Sequence, residues 1–113
     1  MPAYEIDHYW VRMWSSRPTT ILNPDIAVAG IFLSQGGVFR GYAYFYPDGT
    51  ALAPPGIDSV EGVVSVHYNL SQLAGVLQMV REERPLYLFE FGPENAGLAT
   101  GIEPTGEEEG ISG

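Results

Sequence analysis

Nine consecutive residues, Val38 to Tyr46, constrain the fold more than any other stretch of this 113-residue chain. They are bracketed by Gln35-Gly36-Gly37 and Pro47-Asp48-Gly49, two tight-turn sequences in which glycine supplies the positive φ that other residues resist. Between them the side chains sort by alternation, as an extended strand requires. Phe39, Gly41, Ala43 and Phe45 fall on one side, a core face whose small residues let a helix lie close. Arg40, Tyr42, Tyr44 and Tyr46 fall on the other.

The preceding segments extend this pattern into a sheet. Tyr4 to Trp14 is an unbroken series rich in β-branched and aromatic residues and reads as one strand, interrupted by the turn-rich cluster Ser15 to Pro24. Ile26 to Leu33 is a second apolar strand, and with Val38 to Tyr46 it completes an antiparallel meander. In the first strand Tyr9, Val11 and Met13 occupy one side and His8, Trp10, Arg12 and Trp14 the other. If both polar-aromatic sets share a sheet face, Trp10, Arg12, Trp14, Arg40, Tyr42 and Tyr44 form one surface.

The second half carries one helix. Asn69 and Gln72 have capping-box spacing, Leu70, Leu73, Leu77 and Val80 recur at three- and four-residue steps, and Pro85 ends the pattern. The spacing predicts a helix from about Leu70 to Arg84, with Arg81 and Arg84 against its final carbonyls. Gly75 falls on its polar side, where a close contact would account for it. Strands are expected on both flanks, Val63 to Tyr68 and Leu86 to Phe91, so close to the helix that a right-handed strand-helix-strand unit follows if they are parallel. Glu94-Asn95-Ala96-Gly97 then turns into a last strand, Leu98 to Glu103. The segment Leu52 to Glu61, with two consecutive prolines, reads as a crossover loop or a lid.

The fold class is therefore α+β: an antiparallel meander followed by strand, helix, strand and strand, with the single helix on one face of the sheet. Residues 1–103 are expected to form one domain, and residues 104–113, with Glu107-Glu108-Glu109 among glycines, a disordered acidic tail.

Charge narrows the partners. Fourteen acidic residues oppose five basic ones, all arginine, for a net charge of −9. So few cations cannot neutralise a phosphate backbone, which excludes nucleic acid as a partner. No cysteine is present, which removes disulfides, thiolate nucleophiles and cysteine-type zinc sites. No apolar run approaches the ~20 residues of a membrane span. Met1 to Glu5 lacks the basic patch and apolar run of an export signal, so the expected location is cytoplasmic.

Motifs for catalysis are sparse. His8 and His67 belong to no metal-ligand spacing, the glycines show no phosphate-cradling pattern, and no serine sits in a nucleophile elbow. No metal or cofactor is expected. Asn69-Leu70-Ser71 matches a glycosylation sequon but serves better as a helix cap. Glu90 interrupts the apolar run Leu86 to Phe91, and on a central strand it would make a general acid or base; the bland alternative is a strand end reaching water or an arginine.

The aromatic surface has three readings: cover by loops of the same chain, contact with another protein, or stacking of a planar or sugar ligand. Tyrosine, tryptophan and arginine combine contact area with a polar end, which favours protein contact. The expectation is a non-enzymatic interaction module, homo-oligomeric or heteromeric. The alternative is a small-ligand or enzymatic pocket built from His67, Glu90 and the Tyr and Trp residues.

Overall fold

The computed structural model describes residues 3–15, 26–57, 62–92 and 95–100. The expected tail 104–113, most of the Ser15 to Pro24 cluster and residues 58–61 of the crossover lie outside the described residues.

The described strands are β1 (Ala3–Glu5), β2 (His8–Met13), β3 (Ala29–Gln35), β4 (Val38–Tyr46), β5 (Gly56–Ile57), β6 (Val64–Asn69), β7 (Tyr87–Glu90) and β8 (Ala96–Ala99). A 3₁₀ turn, Leu70–Gln72, leads into the helix α1 (Leu73–Glu82). The fold is α+β, with five strands in the order β2-β3-β4-β6-β5 and a smaller sheet in the order β1-β7-β8.

The meander is present: β2 pairs antiparallel with β3, and β3 with β4. Gly36 and Gly37, at φ 56° and 85°, make the two-residue turn that closes the β3–β4 hairpin at Gln35↔Val38. On the inner face Ala29, Ile31 and Leu33 of β3 stand opposite Phe45, Ala43 and Gly41 of β4. Beside them β6 runs parallel to β4 and adds Val64, Val66 and Tyr68.

The predicted first strand is broken in two. Ile6, 1 % exposed, donates its N–H to Leu86 O at 2.8 Å, whereas the Asp7 N–H turns to Ser34 O at 3.1 Å. One residue thus commits the chain to the small sheet and the next commits it to the large one. An unbroken run of strand formers carries no mark of such a change of partner.

The strand-helix-strand order is present as expected, but its two strands are not parallel neighbours in one sheet. The strands flanking the helix join different sheets: β6 pairs with β4 and β5, and β7 lies between β1 and β8. The last strand begins earlier than predicted, at Ala96, because the turn closes at Gly92 and Asn95, with Phe91 N–H donating to Asn95 O at 2.9 Å.

The helix and the small sheet share the inner face of the large sheet. One apolar cluster joins Val76 and Val80 of α1, Ile6, Leu86 and Leu88 around the small sheet, and the inner residues of β3, β4 and β6. The notch at Gly41 receives Leu88 rather than a helix: a Cβ there would stand 2.6 Å from Leu88 Cδ2 and 2.3 Å from Val64 O. The buried side of α1 is turned relative to the predicted stripe. Val76 and Val80 are buried, Leu73 and Leu77 are half-buried, and Leu70 lies exposed in the 3₁₀ turn, whose three-residue winding displaces it from the helical face.

Both ends of this helical segment are held as the sequence suggests. Asn69 N–H donates to Gln72 Oε1 at 3.0 Å, and Arg84 Nη1 donates to the carbonyls of Val80 and Glu83 at 2.8 and 2.6 Å. The Pro47–Thr50 turn adds Asp48, whose carboxylate accepts the Ser71 N–H at 3.0 Å.

Candidate interaction face

The outer face of the large sheet is built strand by strand from alternation. On β2 it takes Trp10 and Arg12, opposite Phe32 and Gly30 of β3. Those residues stand opposite Tyr42 and Tyr44 of β4, which in turn neighbour Ser65 and His67 of β6. Trp14, just past the end of β2, joins through an edge-on contact with Tyr44 at 6.1 Å.

The rings form one connected cluster. Trp10 stacks on Phe32 at 5.2 Å with an interplanar angle of 17°, Phe32 meets Tyr44 edge-on at 6.0 Å, and Tyr42 lies 4.4 Å from Tyr44. The Arg12 guanidinium sits over the Phe32 ring at 5.4 Å, so the cation of this face rests on a π surface rather than on a carboxylate. Gly30 makes the arrangement possible, because a Cβ there would come within 3.2 Å of the Tyr44 ring.

One residue assigned to this face from the sequence points elsewhere. The register shifts between Leu33 and Ser34, so that Leu33 pairs with Gly41 but Ser34 with Phe39, leaving Arg40 as the extra residue of a β-bulge. Alternation is thereby reset. Arg40 turns toward the small sheet, its guanidinium 4.3 Å over the Tyr4 ring and its Nε donating to Gln35 Oε1 at 3.1 Å. Phe39, expected in the core, instead joins the outer face, 6.2 Å from Trp10 and 6.3 Å from Phe32.

Phe32 also belongs to this face, though its own segment gives no sign of it. In Ala29-Gly30-Ile31-Phe32-Leu33 both faces are apolar, so the run shows no alternation from which a side could be read. The pairing with Trp10 supplies the side that composition does not.

His67 and Glu90 are not brought together. His67 lies on the outer face, where its Nδ1 and the Tyr46 hydroxyl share a hydrogen bond of 3.1 Å, and burial holds its imidazole below the ordinary value of 6.5. Glu90 ends β7, half-buried, in the small sheet packed behind the inner face. The two residues thus belong to different sheets. His8 is exposed and lies 3.3 Å from Asp7. Among the described residues no group of three or more His, Cys, Asp or Glu side chains converges to hold a metal, and no helix is long and apolar enough to cross a membrane.

What the face can do chemically is stack and bury. Among the described residues it offers flat apolar area, tyrosine hydroxyls and one guanidinium, through Trp10, Arg12, Trp14, Phe32, Phe39, Tyr42, Tyr44 and His67. No family model matches this chain, and neither does any curated protein or solved structure.

Proposed function

We infer that the protein is a non-enzymatic interaction module and that the outer face of its large sheet docks another protein. A single observation carries this reading: the connected aromatic cluster from Trp10 to Tyr44 faces away from the helix and from the small sheet, both of which sit on the inner side. Trp10 remains 46 % exposed there. A contiguous aromatic patch that neither the described helix nor the small sheet covers is the kind of surface that binds a partner, and tryptophan, tyrosine and arginine are the side chains that dominate such surfaces energetically.

Charge selects the kind of occupant. With Arg40 turned to the small sheet, Arg12 is the arginine that the described residues place on this face, in a chain of net charge −9, too little for a phosphate backbone. A catalytic pocket combining His67 with Glu90 would have to draw on two different sheets, and no hydrogen bond among the described residues links the two side chains. A protein surface, which needs apolar contact and scattered hydroxyl partners, fits best.

The test compares the native chain with Tyr44→Glu. Circular dichroism first establishes that the variant folds, and both proteins are then used to capture partners from the cells that make this protein. The expected result is a partner retained by the native chain and lost with Tyr44→Glu, confirmed with purified partner by a change in tryptophan fluorescence. An unfolded variant would mean that the face is core. A partner bound equally by both would place the binding site elsewhere.

A further inference from the structure

Beside the aromatic face, the large sheet has a backbone edge that no described strand covers. No described strand pairs with the outer side of β2. The large sheet's other edge, β5, is only two residues long, whereas β2 has six. Natural edge strands are blunted by shortness, lysine, proline or a bulge. His8-Tyr9-Trp10-Val11-Arg12-Met13 contains neither proline nor lysine, and its register with β3 runs unbroken from His8↔Ser34 to Met13↔Ala29.

The direction of the free groups follows from one hydrogen bond. Trp14 N–H donates to Val28 O at 3.0 Å, so the even-numbered residues of this strand direct their backbone groups toward β3. Backbone groups alternate sides along a strand. Tyr9, Val11 and Met13 therefore present theirs to the open edge. Two of the three side chains are exposed as well, Val11 at 39 % and Met13 at 59 %, while Tyr9 is half-buried against the core.

We propose that β2 pairs antiparallel with β2 of a second copy of this chain, about a two-fold axis through Val11, joining the two large sheets into one. The choice of a second copy rests on charge and on register. Two chains of net charge −9 repel wherever their carboxylates meet, yet no acidic residue lies between His8 and Ser15 or within β3. Along this edge two copies can approach without setting carboxylates against each other. An axis at Val11 makes Val11 a hydrogen-bonded pair with its own copy and sets Tyr9 opposite Met13. It also places Arg12 of each chain opposite Trp10 of the other, cation against indole, with no like charges directly opposed. Both aromatic faces then lie on the same side of the joined sheet. The pairing uses the edge, so it leaves the proposed docking face open and stands independently of it.

The experiment measures the mass of the full chain by sedimentation equilibrium at high micromolar concentration, for the native protein, Val11→Pro and Tyr44→Glu. The native chain is expected to show twice its sequence mass. Val11→Pro removes an amide that faces outward and should give a monomer with unchanged circular dichroism. Because the protein has no cysteine, Val11→Cys should form a covalent dimer on mild oxidation, whereas Ile57→Cys on the opposite edge should not. This second arm decides the matter if Val11→Pro fails to fold. A monomeric native chain, a dimer that survives Val11→Pro, a dimer abolished only by Tyr44→Glu, or equal cross-linking at positions 11 and 57 would each overturn the proposal.

Discussion

Asp7 accepts the Gly36 amide in both carboxylate oxygens, at 3.1 and 2.9 Å. The residue at the junction between the two sheets thus holds the tip of the β3–β4 hairpin. This amide, with a smaller contribution from His8, keeps the Asp7 carboxyl below its ordinary value of 3.8. A fold that prefers the ionised form gains stability above the unfolded pKa and loses it as pH falls through the folded one. The native chain should therefore lose stability below about pH 3.8, and Asp7→Asn should show a flatter acid limb with a lower melting temperature at neutral pH. Thermal unfolding between pH 2.5 and 7 checks both; identical acid limbs would remove the role given to this contact.

Two glycines should respond to alanine with opposite signs. At Gly41 a Cβ would lie 2.3 Å from Val64 O, a backbone atom of the neighbouring strand in the same sheet, and 2.6 Å from Leu88 Cδ2 of the small sheet, so Gly41→Ala must displace both neighbours and should cost about 1–3 kcal/mol or more. At Gly75 nothing among the described residues lies within 4 Å of an added Cβ, so they supply no close contact that would account for it. Gly75→Ala should stabilise the helix by up to ~1 kcal/mol. Urea unfolding of the pair is the measurement, and a destabilised Gly75→Ala would mean that the glycine has a role outside helix propensity.

The buried side of the helix makes a graded prediction. Val80 is fully buried and Val80→Ala should cost about 1.5–3 kcal/mol, the value of burying such a side chain. Leu70, 36 % exposed, should lose less than about 1 kcal/mol on the same truncation, since exposed positions change stability little. Equal losses at the two positions would show that the 3₁₀ turn packs more tightly than its exposure implies.

His67 should make stability depend on pH near neutrality. Its folded pKa is depressed by burial from 6.5, so the unfolded chain binds the proton more readily. Stability is then fully present above about pH 6.5 and falls as pH drops toward the folded value. The slope should disappear in His67→Gln. Denaturant midpoints at pH 5 and 7.5 for both proteins report it, and a slope retained in the variant would assign it to another group.

Local chemistry was legible in the sequence wherever it needed no partner. The Gln35-Gly36-Gly37-Val38 hairpin, the two faces of β4 from Gly41 onward, the helix with Gln72 at its start and Arg84 at its end, and the α+β class all follow from backbone preferences acting over a few residues. Most of the face was legible too: Trp10, Arg12, Trp14, Tyr42 and Tyr44 are on it. Arg40 and Phe39 exchanged sides because a bulge costs one residue of register, and whether a bulge forms depends on how β3 and β4 must meet Leu88 and Tyr4 of the other sheet. Ile6 and Asp7 parted for the same kind of reason, each taking the hydrogen-bond partner that the assembled core put within reach. Propensity and alternation act along the chain, and they determined which segments are strands and which side of each is apolar. The choice of neighbour for a strand is a contest between distant segments for the same backbone groups, and only the tertiary structure decided it.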